Sequence, residues 1–245
     1  KMISRYTSKI KSVFVLGSSS EIAKEICIQL ANRGCQTFHL LARDLEKNNQ
    51  LIEILKEKKI TNIMQDQFDL INDPEIKKEV GQYDLYLITA GFLGEPELAS
   101  KNISELIKIT KTNYSGLLKW LIAIVTPERL NSVSRLWIFS SVAGDIGRPS
   151  NFHYGAAKAA LSCFCQGLFL KAHNKPFAVR IFKAGFIRTK MSIGKAPRIL
   201  CINPQKLTKE ILRNPNKRGI EYLPWWWFFI MKIIKYSPYF VLAKL

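Results

Sequence analysis

Short apolar runs alternate with amphipathic stretches along most of this chain. Val13-Phe14-Val15-Leu16, Thr37 to Leu41, Ile63-Met64, Tyr83 to Thr89, Leu136 to Phe139 and Phe177 to Phe182 are brief, and they read as buried strands. Between them apolar positions recur at helical spacing. Glu21 to Asn32 sets Ile22, Ile26 and Leu30 on one side, Leu45 to Lys59 forms a charged helix, and Asn102 to Glu128 alternates polar and apolar residues over one long helix. A further helix runs from Tyr154. Strands alternating with helices predict an α/β fold, a doubly wound, mostly parallel sheet of about seven strands with helices on both faces. With 245 residues, 47% of them hydrophobic, the chain can fill one such domain.

Composition adds boundaries and partners. Residues 1–11 are basic and lack the apolar core of a signal peptide or membrane span, so they read as an N-terminal extension before a domain over 12–221. Five cysteines, Cys27, Cys35, Cys163, Cys165 and Cys201, are an odd set without C-x-x-C spacing. That argues against a disulfide framework or structural zinc and for reduced core residues in a cytoplasmic compartment. His39, His153 and His173 match no metal-ligand pattern, and no metal is expected. The net charge of +18 is uneven: residues 186–245 hold twelve Lys or Arg against two Glu. An anionic bilayer surface or a phosphate-bearing substrate explains such a quarter, with solvated lysines as the plainer alternative. No nucleic-acid recognition module is present, and none is expected as partner.

The candidate chemistry lies between Ser140 and Lys158. Ser141 ends an apolar strand, so its hydroxyl emerges at the carboxyl end, where open α/β sheets bind ligands. Tyr154 and Lys158 lie one turn apart on one helix face. A nearby ammonium favours phenolate, so Lys158 is expected to pull the Tyr154 pKa below its usual value of about 10. Near the amino terminus, Gly17-Ser18-Ser19-Ser20 links a strand to a helix and would aim amides at a pyrophosphate.

The spacing of Ser141, Tyr154 and Lys158, together with that glycine turn, resembles the short-chain dehydrogenase/reductase family over nearly the whole chain. The resemblance implies a Rossmann-type domain, an NAD(P)-dependent interconversion of ketone and secondary alcohol, and a catalytic set of Asn113, Ser141, Tyr154 and Lys158. It places the cofactor against Gly17, Ser19, Ser20, Glu21 and Ile22, although Glu21 and Ala23 stand where the family carries its second and third glycines. Ala42 replaces the family's acid at the second strand's end and Arg43 follows, which favours NADP(H), with NAD(H) still possible beside Asp44. Phe68-Asp69-Leu70 resembles the family's adenine contact, yet Asp69 could equally cap a helix begun around Asp73-Pro74. Ala90-Gly91 is the remnant of Asn-Asn-Ala-Gly, and Gly185, Ile187 and Thr189 match the turn that clamps the nicotinamide carboxamide. A substrate lid is expected near 190–203.

The last segment, 222–245, begins Tyr222-Leu223-Pro224-Trp225-Trp226-Trp227-Phe228-Phe229 and is studded with lysines. Its apolar run of about ten residues is too short to cross a bilayer, which needs roughly twenty. Aromatic rings and flanking ammonium groups suit an anionic membrane interface, and a homo-oligomer contact is the competing reading. With Phe92-Leu93-Gly94, Asn151-Phe152-His153-Tyr154 and Ile187 to Ser192, this tail resembles the decaprenylphosphoryl-2-keto-pentose reductase subgroup. That resemblance implies a lipid-linked keto sugar as substrate and a cytoplasmic protein peripheral to the inner membrane face. Other lipid ketones, a 3-keto sphingoid base or a 3-oxoacyl chain, remain alternatives, as does a non-catalytic NADP(H)-binding adaptor.

Overall fold

A computed structural model describes residues 9–73, 75–76, 79–189, 192 and 197–244. In chain order the elements are β1 (Ser12–Leu16), α1 (Glu21–Ala31), β2 (Thr37–Ala42), α2 (Asn49–Glu57), β3 (Asn62–Gln67), β4 (Leu85–Ile88), α3 (Pro96–Ala99), α4 (Ile103–Thr110), α5 (Gly116–Ile124) and α6 (Pro127–Leu130). Then follow β5 (Arg135–Ser141), α7 (Phe152–Lys171), β6 (Ala178–Ala184), β7 (Phe186–Ile187), β8 (Cys201–Ile202), α8 (Pro204–Arg213), β9 (Gly219–Leu223), α9 (Trp227–Lys235) and α10 (Tyr239–Leu242). Seven strands pair in parallel in the order β3-β2-β1-β4-β5-β6-β9, and β7 pairs with β8 in a small separate ladder. The strand order reverses between β1 and β4. This is the Rossmann-like α/β fold that the apolar runs predict, and the reversal opens a crevice at the strands' carboxyl ends.

Alternate residues of each strand feed the two faces. Val13 and Val15 of β1 pack with Ile26 and Leu30 of α1, while Phe14 and Leu16 point to the other side and meet Trp120 and Leu121 of α5. At its carboxyl end β1 turns at Gly17, whose φ of 92° suits a residue without a side chain; a Cβ there would stand 2.5 Å from the Ala90 amide nitrogen. Ser20 then caps α1, accepting from the amides of Ile22 and Ala23 at 3.2 and 3.4 Å.

The structure departs from the expected elements in three places. The long helix over Asn102 to Glu128 is broken into α4, a π-helical turn at Lys111–Ser115, α5 and α6. Gly116 lets the Leu70 carbonyl approach where any Cβ would collide, and Pro127 cannot continue the helix before it. No helix starts at Asp73 among the described residues; Asp73 instead accepts from the Asp69 amide at 2.6 Å, and Pro74 lies outside them. The seventh strand, β9, had no matching apolar run, and it carries Tyr222 and Leu223, so the sheet extends past residue 221. Arg180, buried on β6, holds β9 through Glu221 at 2.6 Å and also donates to the carbonyls of Ile211 and Asn214. Of the predicted lid, positions 190, 191 and 193–196 lie outside the described residues. Its remainder includes the Arg198–Leu200 turn and β8.

Candidate active site

The carboxyl ends of the central strands open on one cavity of about 840 Å³. Its walls contain Ser141, Tyr154 and Lys158 and every residue expected to hold the cofactor: Gly17, Ser19, Ser20, Glu21 and Ile22 from the β1–α1 turn, Arg43 after β2, Asp69 and Leu70 after β3, Ala90 and Gly91 after β4, and Gly185, Ile187 and Thr189 after β6. Asn113 is the exception.

Ser141 is the last residue of β5, where its Oγ accepts from the Ala143 amide at 3.1 Å and is hydrogen-bonded to the Tyr154 phenol. Tight packing presses the turn after β5 onto α7. A Cβ on Gly144 would stand 2.7 Å from the Ala159 amide, and one on Gly155 would stand 2.7 Å from the Ala143 carbonyl. Lys158, one turn after Tyr154, is 3% exposed, donates to the Phe139 carbonyl at 3.1 Å, and lies 5.7 Å from the Tyr154 ring centroid. The three side chains therefore meet as their spacing implies.

The electrostatics differ from the sequence expectation. Burial pushes the Tyr154 phenol up to about 12, with the Ser141 hydrogen bond pulling the other way, while burial pushes the Lys158 ammonium down to about 8, opposed by Cys165. Lys158 does not hold Tyr154 below its usual range, because desolvation of a phenolate in this wall outweighs a cation drawn toward Phe139. The phenol keeps its proton at neutral pH and retains some exposed surface along the cavity. A protonated acid is what a forming alkoxide requires.

Asn113 lies behind the wall, on the π-helical turn, and is fully buried. Its amide is engaged by the backbone: Oδ1 accepts from Phe92 N at 3.2 Å, while Nδ2 donates to Phe92 O at 2.6 Å and Ile109 O at 2.9 Å. It thus fixes the loop that carries Gly91. A Cβ on Gly91 would lie 3.4 Å from Asn113 Oδ1 and 3.7 Å from Lys158 Nζ, which places the three together.

At the opposite end, Arg43 is exposed, whereas Asp44 is drawn to Lys47 at 3.2 Å and accepts from the Glu46 amide at 3.1 Å. Asp69 accepts from the Ile71 amide and the Asn72 side chain, both at 2.9 Å. The Thr189 hydroxyl donates to the Ile187 carbonyl at 3.3 Å. A glycine turn before a helix, a cation at the β2 end and a glycine-bearing loop after β4 make a donor set that fits a dinucleotide.

Two features escaped the sequence reading. Trp227 of α9 is buried against Gly185, where its indole occupies the place of a side chain. Arg148, between β5 and α7, lines the same cavity as Tyr154. Neither sits in a periodic pattern, and the only signal for Arg148 was its position inside the Ser-to-Tyr bridge.

Residues 11–198 match the family model for short chain dehydrogenase. The chain is 26% identical over 221 residues to an uncharacterized oxidoreductase of Mycobacterium tuberculosis, covering 87% of this chain and 88% of that protein. It is 28% identical over 190 residues to a 3-oxoacyl-(acyl-carrier-protein) reductase of Staphylococcus aureus, covering 74% and 76%. Among solved structures, a short-chain dehydrogenase of Sphingobium yanoikuyae in complex with NADPH superposes with a TM-score of 0.73 at 19% identity, covering 88% of each chain. A short chain dehydrogenase of Shigella flexneri complexed with NADP gives 0.72 at 21% identity, covering 86% and 95%. The chain belongs to the short chain dehydrogenase family, whose members are NAD(P)-dependent oxidoreductases.

Proposed function

We propose that this protein is an NADPH-dependent reductase that turns the ketone of a lipid-linked substrate, such as a polyprenylphosphoryl 2-keto sugar, into a secondary alcohol. The observation that carries this reading is the meeting of Ser141, Tyr154 and Lys158 in one wall of a cavity that also holds Gly17, Arg43 and Gly185.

When bound, the reduced nicotinamide supplies a hydride to the carbonyl carbon. Tyr154 gives its phenolic proton to the oxygen as negative charge develops there, and Ser141, already hydrogen-bonded to the phenol, holds that oxygen in line. Lys158 binds the nicotinamide ribose and offsets the charge left on Tyr154. Asn113 keeps the Gly91 loop in place and supports proton resupply beside Lys158. Gly17 and Ser19 to Ile22 would hold the pyrophosphate, Asp69 and Leu70 the adenine, Ala90 and Gly91 the ribose, and Gly185, Ile187 and Thr189 the carboxamide. Arg43 meets a 2′-phosphate, because the neighbouring acid Asp44 is occupied by Lys47. Structural relatives with NADP or NADPH bound support that preference.

The lipid part of the reading rests on the tail. No helix among the described residues is long and apolar enough to cross a membrane. The outer face of α9 and the residues around it expose Trp225 at 64%, Phe229 at 55%, Ile233 at 71% and Phe240 at 71%, with Lys232 and Lys235 interspersed. Such a face suits the interface of an anionic bilayer, and it begins beside the cavity, since Trp227 supports Gly185. The protein accordingly works at the cytoplasmic face of a membrane. A 3-oxoacyl chain is the second reading, favoured by the reductase of Staphylococcus aureus.

Reduction with NADPH dideuterated at nicotinamide C4, using lipid-linked 2-keto pentose and 3-oxoacyl thioester in parallel, tests the proposal. Deuterium at the new carbinol carbon of the keto sugar supports it. Transfer only to the thioester selects the second reading, and transfer to neither overturns both.

A further inference from the structure

Arg148 is a cation without a counterpart among the described residues. It lines the cavity in the bridge from β5 to α7, its Nε is shut off from solvent without a hydrogen-bond partner, and the guanidinium forms no hydrogen bond or ion pair with any described residue. Glu95 and Glu97 line the same cavity, and neither pairs with it. A guanidinium offers five donors in a planar fork; here the Nε donor is shut from water unused, while the rest of the fork stays accessible from the cavity, where an anion can meet it. Its backbone is held in a turn, with the Asn151 amide donating to the Arg148 carbonyl at 3.1 Å and the Gly155 amide to the Asn151 carbonyl at 2.9 Å. Asn151 lines the cavity too, and its Oδ1 is likewise buried without a donor.

The cofactor does not account for this cation. Its phosphates belong to the β1 turn and the β2 end, and β4 stands between β1 and β5 in the sheet. Arg148 instead follows Ser141, on the side where the carbonyl is reduced. We propose that Arg148 and Asn151 form the subsite that selects substrates carrying a phosphate ester together with a free hydroxyl, Arg148 donating to the phosphate and Asn151 Oδ1 accepting from the hydroxyl. This deepens the reductase reading and rests on it for the identity of the reacting group. It separates a phosphorylated keto sugar from a plain acyl ketone.

Ribulose 5-phosphate and ribulose are suitable probes, with binding measured by calorimetry on the full chain saturated with NADP⁺, so that the cofactor's own anion contacts are filled. The wild type is expected to bind the phosphate at least about tenfold more tightly than the neutral sugar, the preference falling to near unity in Arg148→Gln and surviving in part in Arg148→Lys. NADPH affinity of each variant reports that it is folded. Equal binding of the two sugars by the wild type, no measurable binding of the phosphate, or an undiminished preference in Arg148→Gln overturns the subsite. NADPH oxidation is followed in parallel samples in which NADPH replaces NADP⁺. Turnover without a phosphate preference removes the subsite and leaves the reductase, whereas an Arg148-dependent preference without turnover does the reverse.

Discussion

Trp227 lies against Gly185, its indole filling the space that any side chain at that position would need. Through this contact α9 supports the turn after β6, which forms one wall of the cavity. Phe186 adds an edge contact to the same indole, with ring centroids 5.6 Å apart. The aromatic tail is therefore part of the site's framework as well as a surface.

Gly185→Ala should uncouple the two. The new methyl meets a rigid ring, an overpacking that costs about 1–3 kcal/mol. Urea unfolding is expected to show that loss, and fluorescence titration a several-fold weaker NADPH affinity. A variant unchanged in both would mean that α9 does not brace the turn.

Lys158 gives a pH dependence whose sign is fixed by its burial. An unfolded lysine titrates near 10.4, while the folded one is pushed down to about 8. Between those values the folded protein holds fewer protons, so the penalty of burying the ammonium is relieved and stability rises with pH, by at most about 1.4 kcal/mol per pH unit. Below about pH 8 the penalty is constant. Lys158→Met should flatten the difference between unfolding free energies measured at about pH 8 and about pH 9.5, both within the interval between those two pKa values. Parallel profiles for the two proteins would contradict the assignment.

Asn113 is expected to act first on stability. Asn113→Ala removes three backbone contacts at a net cost of about 1 kcal/mol each, and Asn113→Asp sets a carboxylate against the carbonyls of Phe92 and Ile109, which need donors. Both variants should unfold at lower urea concentration and bind NADPH more weakly, as the Gly91 loop is released. Midpoints within error of the wild type would show that the amide is dispensable.

The outer face of α9 can be altered without disturbing its buried side. Phe229→Glu with Ile233→Glu changes two residues that are 55% and 71% exposed, leaving Trp227 and Met231 packed. Flotation with phosphatidylglycerol vesicles should fall several-fold, and unfolding should shift by less than about 0.5 kcal/mol, as surface changes do. Undiminished flotation would remove the membrane from the account and turn attention to a second copy of the chain.

Much of this arrangement was legible because its signals are local. Apolar runs mark β1, β2, β4, β5 and β6, and the Ser141, Tyr154 and Lys158 spacing places three groups through one strand end and one helix face. The rest depends on contacts between distant segments. β9 reads Gly-Ile-Glu-Tyr-Leu and shows no apolar run, because Glu221 is held by Arg180 rather than by solvent. The break at Lys111–Ser115 follows from the approach of the Leu70 carbonyl to Gly116, which no periodicity reveals. Tyr154 was expected to be acidified by its neighbour, yet the burial of both groups decides the direction. Arg148 stands out only once the cavity around it is visible.

The central claim is that the Tyr154 phenol protonates the reduced oxygen. Its most direct test is single-turnover NADPH oxidation by Tyr154→Phe at saturating ketone, with cofactor affinity measured on the same protein. A drop of about 10²–10⁴-fold in rate, the usual contribution of a positioned acid, with NADPH still bound at near wild-type affinity, is the expected result. A rate close to that of the wild type would contradict it.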